Sequence, residues 1–231
     1  MRKLISLTIL SVFGFLANAQ EYSNNYIGSP EFNNFWDDLK YRKQIEGEKE
    51  LEYEGNPYLF ETENAKLRLN TGQEVKNLTL RYNVYNDQME IKKDQSYYLI
   101  PKEKVFSHLI LDEHHFHLKV FKINNKKRTG YFESIVSDSL CSLYVKHNVF
   151  LKEASEPKPY QDAKLPTFVS KPYDLFITFN DGLLLPIKNK KDFLELVPKH
   201  QKELTAFIKK NNTKFKKSES VRQLVEYYNS L

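Results

Sequence analysis

The chain reads as an α+β protein, mostly β: an antiparallel curled sheet or partly open barrel followed by C-terminal helices. Three observations predict this. From Tyr58 to Ile187 apolar residues recur with a period of two in short runs, separated by Asn, Asp and Gly turns. After Asn189 the period lengthens to that of amphipathic helices. Only seven Gly and nine Pro occur, with no repeat of fixed period, which argues against solenoid or low-complexity architectures.

The elements follow in order. Arg2 and Lys3 precede the apolar run Leu4 to Leu16, and Ala17-Asn18-Ala19 supplies small residues for a signal peptidase. The run falls short of the roughly 20 residues a membrane span needs. Residues 1–19 are therefore expected to be a cleaved secretory signal, leaving no transmembrane span. Residues 20–56 form a polar segment carrying one short helix. In it Phe32, Phe35, Trp36 and Leu39 fall at i, i+3, i+4 and i+7, with Ser29 as cap and Pro30 in the first turn. That stripe has two readings: it packs on its own domain, or it docks on a partner. Glu46 to Glu54 is charge-dense and reads as a solvated connector.

Residues 57–187 carry the strands. In the run Leu78 to Ile91, Leu78, Leu80, Tyr82 and Val84 alternate with polar positions, and Asn86-Asp87 suits a hairpin turn. A two-residue loop there pairs Val84 with Met89 and Tyr82 with Ile91. Near the end of the region, a three-residue loop Asn180-Asp181-Gly182 with Gly182 left-handed pairs Phe179 with Leu183, Ile177 with Leu185 and Leu175 with Ile187. Between these hairpins, Glu153 to Pro172 holds four prolines and reads as a loop of about 20 residues. Residues 188–231 are helical: Asn189 to Asp192 resembles a capping box, Pro198 restarts the helix, and Ser218 caps a last helix facing inward with Val221, Leu224, Val225 and Tyr228. This segment is expected to pack on the β region.

Composition narrows function by exclusion. The formal charge is +5 and falls to +3 once Arg2 and Lys3 leave with the signal; acidic residues are interleaved throughout, which argues against nucleic acid as a partner. The sole cysteine, Cys141, cannot form an internal disulfide and reads as a buried, inert thiol. No Gly-x-Ser-x-Gly elbow and no phosphate-cradling glycine loop is present. Cys141 and His147 stand six residues apart, about 20 Å along one strand, too far for a thiol–imidazole dyad.

Two residue groups carry chemistry. His115 and His117 share one face of a strand, with His108 shortly before them, and the three form a candidate zinc set for a metal-dependent hydrolase, His147 and Glu133 being alternatives for the third ligand. His115, His117 and Lys119 are expected on the wet face, with Phe116, Leu118 and Val120 buried opposite. Fifteen Tyr and sixteen Phe make the chain rich in aromatics. Tyr85, Tyr97 and Tyr131, with Tyr144 and Tyr160, are candidates for stacking on a sugar or docking a partner.

Gly55-Asn56-Pro57-Tyr58-Leu59, the run Arg81 to Glu90, Phe207-Ile208-Lys209-Lys210-Asn211 and Tyr227-Tyr228-Asn229 together resemble a group of uncharacterised exported proteins common in the Bacteroidota. The resemblance covers most of the chain after the signal. It implies an envelope location and supplies no activity. The expectation is an exported envelope protein, most simply a non-catalytic binding or accessory component, periplasmic rather than surface-displayed. Its partner is an envelope protein, a surface polysaccharide or a lipid, and no cofactor is predicted. The alternatives are the zinc hydrolase and a carrier of a small apolar ligand or sugar in the curled sheet.

Overall fold

The structure, a computed structural model, describes residues 30–39, 53–102, 106–154, 164–197 and 199–231. The expected signal peptide, the expected cap Ser29, most of the charged connector, Tyr160, Pro157, Pro159 and Pro198 lie outside the described residues. Ten strands form one antiparallel sheet: β1 (Tyr58–Leu69), β2 (Glu74–Asn83), β3 (Gln88–Lys93), β4 (Ser96–Leu99), β5 (Phe106–Leu111), β6 (His114–Ile123), β7 (Lys126–Val136), β8 (Cys141–Lys152), β9 (Thr167–Phe179) and β10 (Leu185–Ile187). Their order is β10-β9-β8-β7-β6-β5-β1-β2-β3-β4, so the sheet is open rather than closed. Helix α1 (Pro30–Asp38) precedes the sheet, and α2 (Lys190–Leu196), α3 (Gln201–Lys210) and α4 (Ser218–Asn229) follow it.

The sheet is strongly curled. In a flat sheet β2 and β7, four strand positions apart, would lie about 19 Å from each other at ~4.8 Å per spacing. Yet Asp87, in the β2–β3 turn, accepts a hydrogen bond from the Tyr131 amide of β7 at 3.2 Å. The hollow this creates is filled by Leu67, Leu80, Tyr82, Met89, Ile91, Leu109 and Phe116. Phe32, Phe35 and Leu39 of the α1 stripe are buried in the same cluster, with Trp36 packed at its margin. The helical stripe thus meets its own sheet: Phe35 lies edge-on to Phe106 at 5.1 Å, and Lys93 donates to the Trp36 carbonyl at 2.5 Å.

A second cluster joins β8, β9 and β10 to the C-terminal helices through Leu143, Val145, Leu175 and Ile177 against Phe193, Leu204, Val221, Leu224 and Val225. Cys141 belongs to it, fully buried, its thiol pushed up to about 12 by burial and by Asp138. On the opposite face of the sheet, Phe121, Phe132, Tyr144, Phe176 and Leu184 form a third, smaller cluster.

Local geometry corrects several expectations. The β2–β3 connection spans Val84 to Asp87, and Tyr82 pairs with Met89 and Leu80 with Ile91. The register is two residues from the expected one, so the inward set keeps its face. In the β9–β10 hairpin the expected pairs Ile177–Leu185 and Leu175–Ile187 form, but Asn180 and Asp181 carry the positive φ values, 48° and 55°, in place of Gly182. Strand β9 begins at Thr167, so the proline-rich connection is shorter than expected, and Pro172 lies inside the strand. It sits where the β8–β9 register shifts between Lys146 and Asn148, a bulge that tolerates a residue without an N–H. Asn189 caps α2, accepting from the Asp192 amide at 3.1 Å. Helix α4 is capped differently: Ser218 is its first residue, and the Tyr173 hydroxyl accepts from the Ser218 amide at 2.8 Å.

Candidate functional site

Three polar groups are built into this curled sheet. The first is a cleft of about 670 Å³ on the face opposite the C-terminal helices, lined by His108, His117, Lys119, Ser142, Tyr144, Asp181 and their neighbours Ser137, Asp138, Ser139 and Asn180. Register explains the assembly. His117 pairs with Phe132, Ser134 with Tyr144, and Tyr144 with Phe176, so these side chains share one face across β6 to β9. The β9–β10 turn brings Asn180 and Asp181 to its rim.

Lys119 is ion-paired to Asp181 and lies 5.6 Å from the Tyr144 ring. Burial raises the Tyr144 hydroxyl above its ordinary range, the Lys119 charge opposing. Ser142 donates to the Asp138 carbonyl at 2.8 Å and accepts from the Asp138 amide at 3.1 Å. That hydroxyl therefore braces a turn and is not a free nucleophile. Beside it in register, Thr178 is buried, and its hydroxyl has no hydrogen-bond partner among the described residues.

The histidines expected to bind zinc do come together, but as a stack. The His108 ring lies 5.8 Å from His115 and 4.9 Å from His117, with interplanar angles of 19° and 24°. Imidazole lone pairs lie in the ring plane, so stacked rings aim their nitrogens side by side rather than at one point. Among the described residues no group of three or more His, Cys, Asp or Glu side chains is placed to hold a metal ion. Burial lowers His108 to about 4, with Arg68 and His115 adding to the effect, so it is neutral at pH 7. The expected division of β6 into wet and dry faces holds only in part. Phe116 is buried, but Val120 is exposed and Phe121 is buried on the histidine side.

The second group was not anticipated as a unit. Glu133, on β7, takes His114 Nδ1 on one carboxylate oxygen and His147 Nε2 on the other, each at 2.6 Å. Glu133 occupies a row, Leu109–Phe116–Glu133–Val145–Leu175, that is otherwise apolar. Burial alone would raise its carboxyl; the hydrogen bonds from His147 and His114 outweigh this and lower it. Phe60 packs against both imidazoles, at 4.5 and 5.1 Å between ring centres.

The third group closes a gap in the sheet. Strands β7 and β8 pair only from Glu133–Val145 to Val136–Leu143 and then diverge. At the divergence Lys146 Nζ donates to the Tyr131 carbonyl at 3.0 Å, while Asp87 accepts from the Tyr131 amide. Lys146 and Asp87 are ion-paired, and Asp87 also accepts from Tyr82 Oη and Lys102 Nζ, both at 2.7 Å. The side chains thus replace the missing ladder bonds. Burial would raise the Asp87 carboxyl, but the Lys146 charge and the hydrogen bonds from Lys102, Lys146 and Tyr82 prevail and lower it. Gly130 makes the approach possible: a Cβ there would lie 2.7 Å from Asp87 Oδ2.

The three tyrosines expected to stack on a ligand have different surroundings. Tyr131 is 2% exposed and faces Tyr82 inside the core, so its ring is not offered to solvent. Tyr144 is buried as well. The Tyr97 ring is covered by the guanidinium of Arg81 at 3.6 Å, and its hydroxyl donates to Glu61 at 2.7 Å. Tyr85 is 45% exposed at the β2–β3 turn, edge-on to Phe168.

No helix of the described residues is long and apolar enough to cross a membrane. No protein-family model, no curated protein and no solved structure matches the chain.

Proposed function

We propose that the chain is an exported, non-catalytic binding component of the cell envelope, and that the polar cleft over β6 to β9 is its ligand seat. The observation that carries this reading is the cleft's lining: every side chain bordering it is polar. Convergent polar groups on a concave surface are what fix the orientation of a small bound molecule. Catalysis draws no comparable support. Ser142 is committed to its turn, and the histidines stack instead of converging. The carrier of an apolar ligand needs an apolar hollow, and the hollow of the curled sheet holds Phe32, Phe35 and Leu39. The signal-like N-terminus supports export, with the periplasm as destination.

The test is photo-crosslinking in the native envelope from a probe at Ser139, on the cleft rim, beside a control probe at Lys191 on α2. A reproducible adduct from Ser139 alone supports the reading. Equal capture from both positions, or none from Ser139, overturns it.

A further inference from the structure

We propose that the cleft selects an uncharged polyhydroxylated ligand, a neutral saccharide, over acidic, cationic and apolar ones, and that the Lys119–Asp181 pair grips two adjacent hydroxyls of it. The proposal rests on the cleft being the ligand seat and adds the class of ligand.

Charge is the first argument. The lining holds two carboxylates, Asp138 and Asp181, and one ammonium, Lys119. His108 contributes no charge at neutral pH. An acidic ligand would compete with Asp181 for Lys119 and meet repulsion from both carboxylates. A cationic ligand would meet Lys119, whose charge is held within the wall with only 17% of its side chain exposed. An apolar ligand would strip water from these groups and return no hydrogen bonds, leaving each of them desolvated and unpaired. A neutral polyol escapes all three penalties.

Geometry is the second argument. An ammonium in contact with a carboxylate presents a donor beside an acceptor. Adjacent hydroxyls on a sugar ring present the complement: one donates to the carboxylate while its neighbour accepts from the ammonium. Asp181 suits that exchange because its side chain is 76% exposed. Its carboxylate stays solvated when it turns toward a ligand, and the ligand's neighbouring hydroxyl then takes its place on the sheltered Lys119. Asn180 adds a carboxamide beside it, able to donate and accept. The volume, about 670 Å³, lies within the range of roughly 300–1,000 Å³ typical of small-molecule sites.

The experiment is calorimetric titration of the full exported chain. The probes are neutral hexose oligosaccharides of two to six units, uronic-acid oligomers of the same lengths, and a fatty acid. The expected result is binding of at least one neutral oligomer with a tenfold or greater preference over the acidic ones. Lys119→Met should weaken that binding tenfold or more. Asp181→Asn keeps an acceptor but frees the Lys119 charge, so it should weaken neutral binding only a few-fold and raise uronate binding about tenfold. A merely structural role for Asp181 would not move that ratio. Tighter binding of uronate or fatty acid by the unaltered chain overturns the proposal, as does an unchanged ratio in Asp181→Asn. If no probe binds while Ser139 still crosslinks an envelope component, the ligand class fails and the binding reading survives. If neither is seen, both fail.

Discussion

Two lysine–aspartate pairs, their lysines on β8 and β6 with β7 between, do opposite things in this sheet. Lys146–Asp87 is enclosed, with 14% and 22% of its side chains exposed, and every bond around it is to the chain itself: Tyr82, Lys102 and the Tyr131 backbone. Lys119–Asp181 keeps its lysine sheltered but leaves 76% of the aspartate in solvent. The first pair stands in for ladder bonds where β7 and β8 part, and ties the β2–β3 turn to the far side of the curled sheet. The second closes nothing and can exchange its partner. Sequence chemistry is the same in both; what separates them is how many other groups the fold commits to the carboxylate.

The comparison is tested most severely by removing one ammonium at a time. Lys146→Met leaves Asp87 buried with its main cation gone, and should cost about 3–5 kcal/mol in urea unfolding. Adding Asp87→Asn, which keeps a residue tolerant of the φ of 53° there, should recover part of that loss, because the stranded charge is removed. A double variant as unstable as the sum of the singles would mean that the two side chains are not coupled. Gly130→Ala is the next largest. The new Cβ presses on Asp87 Oδ2 and on Lys146 Nζ, 3.0 Å away, and should cost about 1–3 kcal/mol. In a Lys146→Met background that cost should shrink, since the tight network is already open.

Acid separates the enclosed charges from the histidine stack. Asp87 and Glu133 have lowered carboxyls in the fold, so the stability they supply is present above the usual carboxylate range and is lost as pH falls through their folded values. His108 acts earlier. Its folded value, about 4, lies below the ordinary 6.5, so the unfolded chain takes up its proton first. Stability should therefore decline from pH 6.5 toward 4, by about 1–2 kcal/mol at pH 5. His108→Gln should flatten urea midpoints between pH 7 and 5 while leaving the steeper loss below pH 4 in place. An unaltered slope would show that His108 is not the group responsible.

Much of the scaffold was legible from local chemistry. Alternation in Leu80, Tyr82, Met89 and Ile91 identified the inward face, because parity survives a two-residue error in register. The length of the Val84–Asp87 turn did not follow from local rules. Asp87 at its end is paired with Lys146, 59 residues away in the chain. A signal for that contact was present in Gly130: an isolated glycine inside a strand marks a close approach. Stripes in α1 and α4 read correctly as amphipathic, since burial of one helix face needs only a 3.6-residue period. The cap of α4 did not, because its acceptor is Tyr173, 45 residues earlier. Candidate sites fared worse for the same reason. The strand period placed His115 and His117 on one face, but whether rings stack or converge depends on the spacing of β5 and β6. Lys119 and Asp181 meet across 62 residues, and nothing near either one announces the other.

The smallest expected effect decides whether the comparison is sound. Lys119→Met should change stability by less than about 1 kcal/mol, because an aspartate facing water is rehydrated when its partner leaves. The same reasoning predicts that the Lys119–Asp181 contribution fades between low salt and 0.5 M salt, where charges in solvent are screened within a few ångströms. The cost of Lys146→Met should be nearly independent of salt. Both substitutions replace lysine by the same unbranched apolar side chain on adjoining parts of one sheet, so helix or strand propensity does not confound them. Urea midpoints for the two variants at two salt concentrations give the answer. A Lys119→Met loss approaching that of Lys146→Met would mean that the cleft pair is a structural bolt too, and would remove the physical basis for a carboxylate that swings to meet a ligand.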